Sequence, residues 1–247
     1  MSIAFGLPLL GSLGRARALG MTGRGSIPSM TGQEVVERVL AFVERQHAPA
    51  GGPAGDLAEA WLGQVVETTR ATLVLSRRGL QDVAAPLRRS VMEHALWMHW
   101  LSRNQDVAWD TVRAKRRLAV ARNENELRKW AEWSPAAVDE VMKIKQRHVP
   151  LVKELIADLV DAERAERPDE PTTNQGWYVA YWSDSEMSHP SLSTAAQHEE
   201  NIPHDAMLGS TVLLVLSAYS QLLPGDPWSD QIERFAEELV KSVRTGG

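Results

Sequence analysis

From Thr31 onward, apolar residues recur at three- and four-residue intervals, and no window alternates in the strict manner of a half-buried strand. That periodicity is the strongest constraint on this chain. It admits helices packed on helices and little else. The expected fold is therefore all-α, a single helical-bundle-like domain of about eight helices.

Local signals place the boundaries. Thr31 with Glu34 forms a capping box that opens a helix reaching about His47. The segment 48–55 reads as a loop from its Pro and Gly content. Asp56 is expected to cap a second helix running to about Gly79, with Leu57, Trp61, Leu62, Val65, Val66, Thr69 and Leu73 as its stripe. A third is expected from Asp82 to Arg103 on the seam Val83, Leu87, Val91, Ala95, Met98 and Leu101, and a long, charged fourth from Asp106 to Trp133. Ser134-Pro135 starts a fifth, which Pro150 should kink or split. Residues 166–176 form the clearest linker. A sixth helix from Trp177 to His189, an apolar seventh from Pro203 to Leu223 and an amphipathic last one through Val240 follow. The last three look too few to close a core alone, so one domain is expected over 31–247. Residues 1–30 carry Gly6, Gly11, Gly14, Gly20, Gly23 and Gly25, and their arginines follow rather than precede Ile3–Leu10. They read as a flexible tail and not as a secretion signal.

Composition removes several classes of chemistry. The chain has no cysteine, so disulfides, thiol nucleophiles and Cys-based zinc or iron–sulfur sites are absent. No apolar run approaches the ~18 residues of a membrane span. The longest, Ala206 to Ala218, is interrupted by Gly209, Ser210 and Thr211. A cytoplasmic protein with no membrane partner is expected. A net charge of −5 gives no general attraction to nucleic acid. No glycine-rich phosphate loop follows a strand, and no cofactor is expected.

Nine tryptophans stand against three Phe and three Tyr. Trp97, Trp100, Trp109, Trp130, Trp133, Trp177 and Trp182 crowd the middle of the chain. They fit either a core or a pocket lined by indole rings, which would suit a flat or cationic ligand.

One polar constellation stands out. The third helix carries Arg89 and Glu93 at i, i+4, on one face with Trp97 and Trp100, next to His94. The sixth carries Tyr181, Ser185 and His189 at i, i+4, i+8, flanked by Tyr178 and Trp182. If both stripes face inward, Arg89–Glu93 becomes a buried charge pair within an interior polar site. Its plain reading is a hydrogen-bonded network that fixes helix register. Its functional reading is a cleft in which Arg89, Glu93, His94 and His189 are the reacting groups and Tyr181, Ser185, Trp97 and Trp182 the binding groups.

The pairing of Arg89-x3-Glu93 with Tyr181-x3-Ser185-x3-His189 resembles a bacterial all-helical family catalogued only as a domain of unknown function. The resemblance covers roughly Ala60 to Leu216 and implies an all-helical fold with no established activity. A second resemblance is to the HEPN superfamily of helical bundles, many of them RNases. It rests on Arg89-Ser90-x3-His94, with Ser90 where Asn, Asp or His is usual. That likeness implies metal-free RNA cleavage, with His94 or His189 as base and Arg89 stabilising the phosphorane. Arg89 and His94 lie roughly 140° apart on an unbroken helix, so they would share a site only near a distortion or across a homodimer interface. Arg113, Lys115, Arg116, Arg117, Arg122, Arg128 and Lys129, on the helix over 106–133, would hold the RNA; their plain reading is a solvated face.

Glu186-x2-His189 is half of a carboxylate-bridged di-metal motif without a second copy, and no metal ligand set is assigned. Three functions remain open. The first is binding or assembly through the interior polar site, with ligand or partner unspecified. The second is a HEPN-like ribonuclease, and the third a metal-dependent helical-bundle enzyme.

Overall fold

The computed structural model describes residues 30–46, 48–131, 150–166, 168–169, 176–188 and 204–245, with side chains for all but 118, 121–122, 124–131, 166, 176, 178, 186–187 and 244–245. Among these residues the fold is seven helices and no strand. They are α1 (Gly32–Gln46), α2 (Gly52–Arg77), α3 (Ala85–Ala131), α4 (Val152–Glu166), α5 (Gly176–Met187), α6 (His204–Ser220) and α7 (Ser229–Thr245). The expected tail at 1–30 apart from Met30, the start of the fifth helix at Ser134 and most of the linker at 166–176 lie outside the described residues; Met30 is half-buried against the core.

The core is organised around α6. Every residue from Leu208 to Ser220 is buried, and the helix touches α1, α2, α3 and α7. A helix apolar all round belongs in the middle of a bundle. Its hydroxyls do not interrupt that role, because Ser210 and Thr211 donate to the carbonyls of Ala206 and Met207 one turn back. Val91, Ala95, Met98 and Leu101 of α3 are all fully buried. Val83, expected on the same seam, is 59% exposed, because the chain over residues 81–84 is a turn and α3 begins at Ala85. The capping box forms as expected: the Thr31 amide donates to Glu34 Oε2 (2.7 Å) and the Glu34 amide to Thr31 Oγ1 (3.3 Å).

Other boundaries differ from the sequence reading, two of them with a clear local cause. α2 starts at Gly52, not Asp56: Gly51 takes φ 69°, and a proline occupies the first turn. Proline lacks the N–H that an initial turn leaves unpaired anyway, so the Gly/Pro run initiates a helix there. The third and fourth helices are continuous in α3 across one residue, Gln105, at φ 36°, ψ −107°. The bend is sharp. On a straight helix residue 115 would stand roughly 27 Å beyond residue 97. Instead the Lys115 ammonium lies 4.8 Å from the Trp97 ring centroid. The distal arm thus folds back on the proximal one, with Ala108 and Thr111 buried on its inner side.

α3 also receives α4 and α5; Leu155, Ile156, Leu159 and Val160 of α4 join the same hydrophobic core, and Trp177 and Tyr181 of α5 pack against it.

Candidate functional site

The seam between α3 and α5 holds two charged contacts of different depth. The deeper one joins Arg88 to Asp184. Arg88 Nη2 donates to Oδ1 at 2.6 Å and Nε lies 3.2 Å from both carboxylate oxygens. Nη1 donates to the carbonyl of Gln81, in the turn before α3, at 2.7 Å. The side chains are 4% and 3% exposed. Burial pushes the Asp184 carboxyl above its ordinary value, and the Arg88 guanidinium opposes that shift.

One turn away lies the shallower contact, a closed triad. Arg89 Nε donates to Glu93 Oε1 at 3.1 Å, Arg89 Nη2 to the Tyr181 phenol oxygen at 3.2 Å, and that phenol to Glu93 Oε1 at 2.9 Å. The Arg89 guanidinium carbon also sits 5.2 Å from the Tyr181 ring centroid. The Arg89 and Glu93 side chains remain 28% and 37% exposed. This corrects the expectation that Arg89–Glu93 is the buried pair. Arg88, one step round the helix, points inward with Val91 and Ala95, while Arg89 lies at the edge. Burial and the Glu93 carboxylate push the Tyr181 phenol up, against Arg89.

The remaining predicted residues are dispersed. Ser185 Oγ donates to the Tyr181 backbone carbonyl on its own helix, 2.6 Å away, rather than to a side chain of the triad. Trp182 is 54% exposed and Val179 62%, on the side of α5 away from the triad. His94 turns toward α2: its Nδ1 is 2.7 Å from the Ser90 carbonyl and its ring meets Trp61 edge-on at 6.4 Å. Trp97 packs edge-on against Trp100, 5.6 Å between centroids, and carries Lys115 over its face. Arg116 and Arg117 are exposed on the distal arm. His189 and the side chains of Arg122, Arg128 and Lys129 lie outside the described residues.

Two histidines outside the predicted site are placed in special surroundings. His99 Nε2 and His204 Nδ1 are shielded from solvent without a hydrogen-bond partner among the described residues. Burial is the main cause that lowers both to about 4; Arg103 adds to it at His99 and Arg88 at His204. Asp184 was not singled out by sequence either, although it lies one turn beyond Tyr181. Among the described residues no three His, Asp or Glu side chains gather as metal ligands, and no helix is long and apolar enough to cross a membrane.

Comparison with curated proteins and with solved structures gives no significant match. A family model does match, over residues 56–202, and it is described as a family of unknown function, DUF5677. The match takes in nearly all of α2 and the whole of α3, α4 and α5, and with them Arg88, Arg89, Glu93, Tyr181 and Asp184; it ends before α6. With more than half of its length matched, the chain belongs to the family of unknown function DUF5677.

Proposed function

We propose that this protein is a binding or assembly module of the cytosol whose contact site is the α3–α5 seam. The Arg89–Glu93–Tyr181 triad is the observation that carries the proposal. Its three groups hold one another in fixed geometry yet stay partly open to solvent. A polar group preordered in this way loses little freedom when a ligand arrives. Glu93 accepts both recorded bonds through Oε1. Its second oxygen suits a partner carrying a hydroxyl or amine donor. A thermal-shift screen of polar small molecules, run on wild type, Tyr181→Phe and Glu93→Gln, tests this reading, with light scattering to detect assembly. A ligand or an oligomer that depends on both side chains supports it. Binding and assembly indifferent to both substitutions would refute it.

The ribonuclease reading has one supporting observation. Arg113, Arg116 and Arg117 are exposed and fall within an arc of roughly 100° on the distal arm of α3. Such a cluster suits a phosphate backbone. Within one chain, however, Arg89 engages Tyr181 while His94 engages Trp61, so the form of this reading with His94 as base requires a site assembled from two copies. Incubation with a mixed RNA pool in the presence of chelator, compared across wild type, Arg89→Ala and His94→Ala, decides it. The metal-dependent reading has no support among the described residues.

A further inference from the structure

Arg88 and Asp184 link three pieces of chain: α3, α5 and, through the Gln81 carbonyl, the turn that launches α3. Each sits beside a member of the triad. Arg88 precedes Arg89 directly, and Asp184 follows Tyr181 by three residues, almost one helical turn. We infer that the Arg88–Asp184 pair is the positioning device of the α3–α5 site, setting the register and rotation of α5 so that the Tyr181 phenol meets Glu93 and Arg89.

Burial and geometry argue for this direction of control. The triad pair is about one-third exposed, and exposed pairs contribute little to stability. Arg88 and Asp184 are almost solvent-free. A slip of α5 along or about its axis would strand both charges in a medium where an unpaired ion is costly. The guanidinium fork adds direction: Nε and Nη2 both face the carboxylate while Nη1 is held by Gln81, so Arg88 has one orientation that satisfies all three. Among the described residues α5 touches α3 and, more lightly, α4, and Val179 and Trp182 are exposed. Within that contact the ion pair is the deeply buried directional one. The inference deepens the proposed function, since it concerns the same site, but its test does not need a ligand.

The readout is the ionisation of Tyr181, which burial and Glu93 push above the ordinary value. Protein labelled with 13C at tyrosine Cζ is titrated by NMR, with Tyr181→Phe assigning the signal and circular dichroism verifying the fold at each pH. Asp184→Asn alone would lower the Tyr181 titration through lost negative charge with α5 unmoved, so the charge-neutral double variant Arg88→Met/Asp184→Leu is the test. It keeps an apolar, well-filled seam without the ionic fork, and Arg88→Gln/Asp184→Asn replaces it should it not fold. The Tyr181 titration should fall toward the free-tyrosine value of about 10, with the helix content kept. A lowered Tyr181 titration in that folded variant supports the positioning role, and a wild-type titration overturns it by assigning register to packing alone. Failure to find any ligand would count against the proposed function and leave this result standing.

Discussion

The carboxylate of Asp184 is held by the Arg88 guanidinium at 2.6 Å with neither side chain more than 4% exposed. One turn away, the pair Arg89–Glu93 is several times more open to water. Two arginines adjacent in sequence thus occupy opposite electrostatic regimes, and the predictions that concern α3 start from that contrast.

Removing one partner of the deep pair should be far more damaging than removing one of the shallow pair. Arg88→Ala or Asp184→Ala leaves an uncompensated buried ion, at a cost of about 3–5 kcal/mol. Glu93→Ala removes a partly screened contact and should cost about 1 kcal/mol or less. Urea unfolding of the three variants measures this directly. Equal midpoints for Asp184→Ala and Glu93→Ala would show that the buried pair is not held as described.

Acid should destabilise the protein through His99 and His204. Each is lowered to about 4 in the fold, while the unfolded chain titrates near 6.5. Between those values the unfolded state binds more protons, so stability falls as pH drops from about 6.5 toward 4 and is intact above that window. His99→Leu removes one titrating site at a position touching the core and should flatten the stability–pH curve in this range. A slope unchanged from wild type would mean that His99 takes up its proton in the folded state.

Much of the fold was legible because burial imposes its period on sequence. The seam Val91, Ala95, Met98 and Leu101 and the stripe Leu62, Val65, Val66, Thr69 and Leu73 are buried where the spacing put them, with Leu57 and Trp61 half-buried. The break between the third and fourth helices falls at Gln105, in the polar gap left between Arg103 and Asp106. The folding back of the distal arm was not legible, since it depends on the backbone angles of a single residue. At the site, the α3 and α5 stripes named the right helices but the wrong deepest residue. Arg88-Arg89 is a doublet whose members differ by roughly 100° about the axis, and Arg88, not Arg89, stands three and seven residues before Val91 and Ala95. That spacing was present in the sequence, but an arginine within an apolar seam reads as an interruption until its partner is known. Trp182 illustrates the converse error. An indole was expected to turn inward, yet Tyr181 and Asp184 already occupy the α3-facing side of the helix and Trp182 is 54% exposed.

The first turn of α1 gives a small, separable effect. Thr31 and Glu34 exchange backbone and side-chain bonds on both sides of the box. Thr31→Ala leaves the Glu34 amide without its acceptor and should cost about 1 kcal/mol. Thr31→Ser keeps the hydroxyl and should cost only a fraction of that. Thermal melts of the two variants separate a capping effect from simple loss of volume.

The last prediction concerns a close approach in the core, between α6 and α7. A Cβ added at Gly209 would lie 2.8 Å from both terminal methyls of Leu239, a distance that packed carbons do not adopt. Two effects oppose each other in Gly209→Ala. Replacing glycine inside a helix favours folding by about 1 kcal/mol. Forcing a methyl into a filled core disfavours it by about 1–3 kcal/mol. Leu239 is fully buried, so its side chain has little room to yield, and the second effect should win. Gly209→Ala is expected to lower stability by about 1–2 kcal/mol. The pair Gly209→Ala/Leu239→Ala should be no less stable than Leu239→Ala alone, because the added methyl then enters space that the truncation vacated. Denaturant unfolding of the two single variants and the double provides the cycle, and strict additivity would mean that α6 and α7 do not meet at these residues.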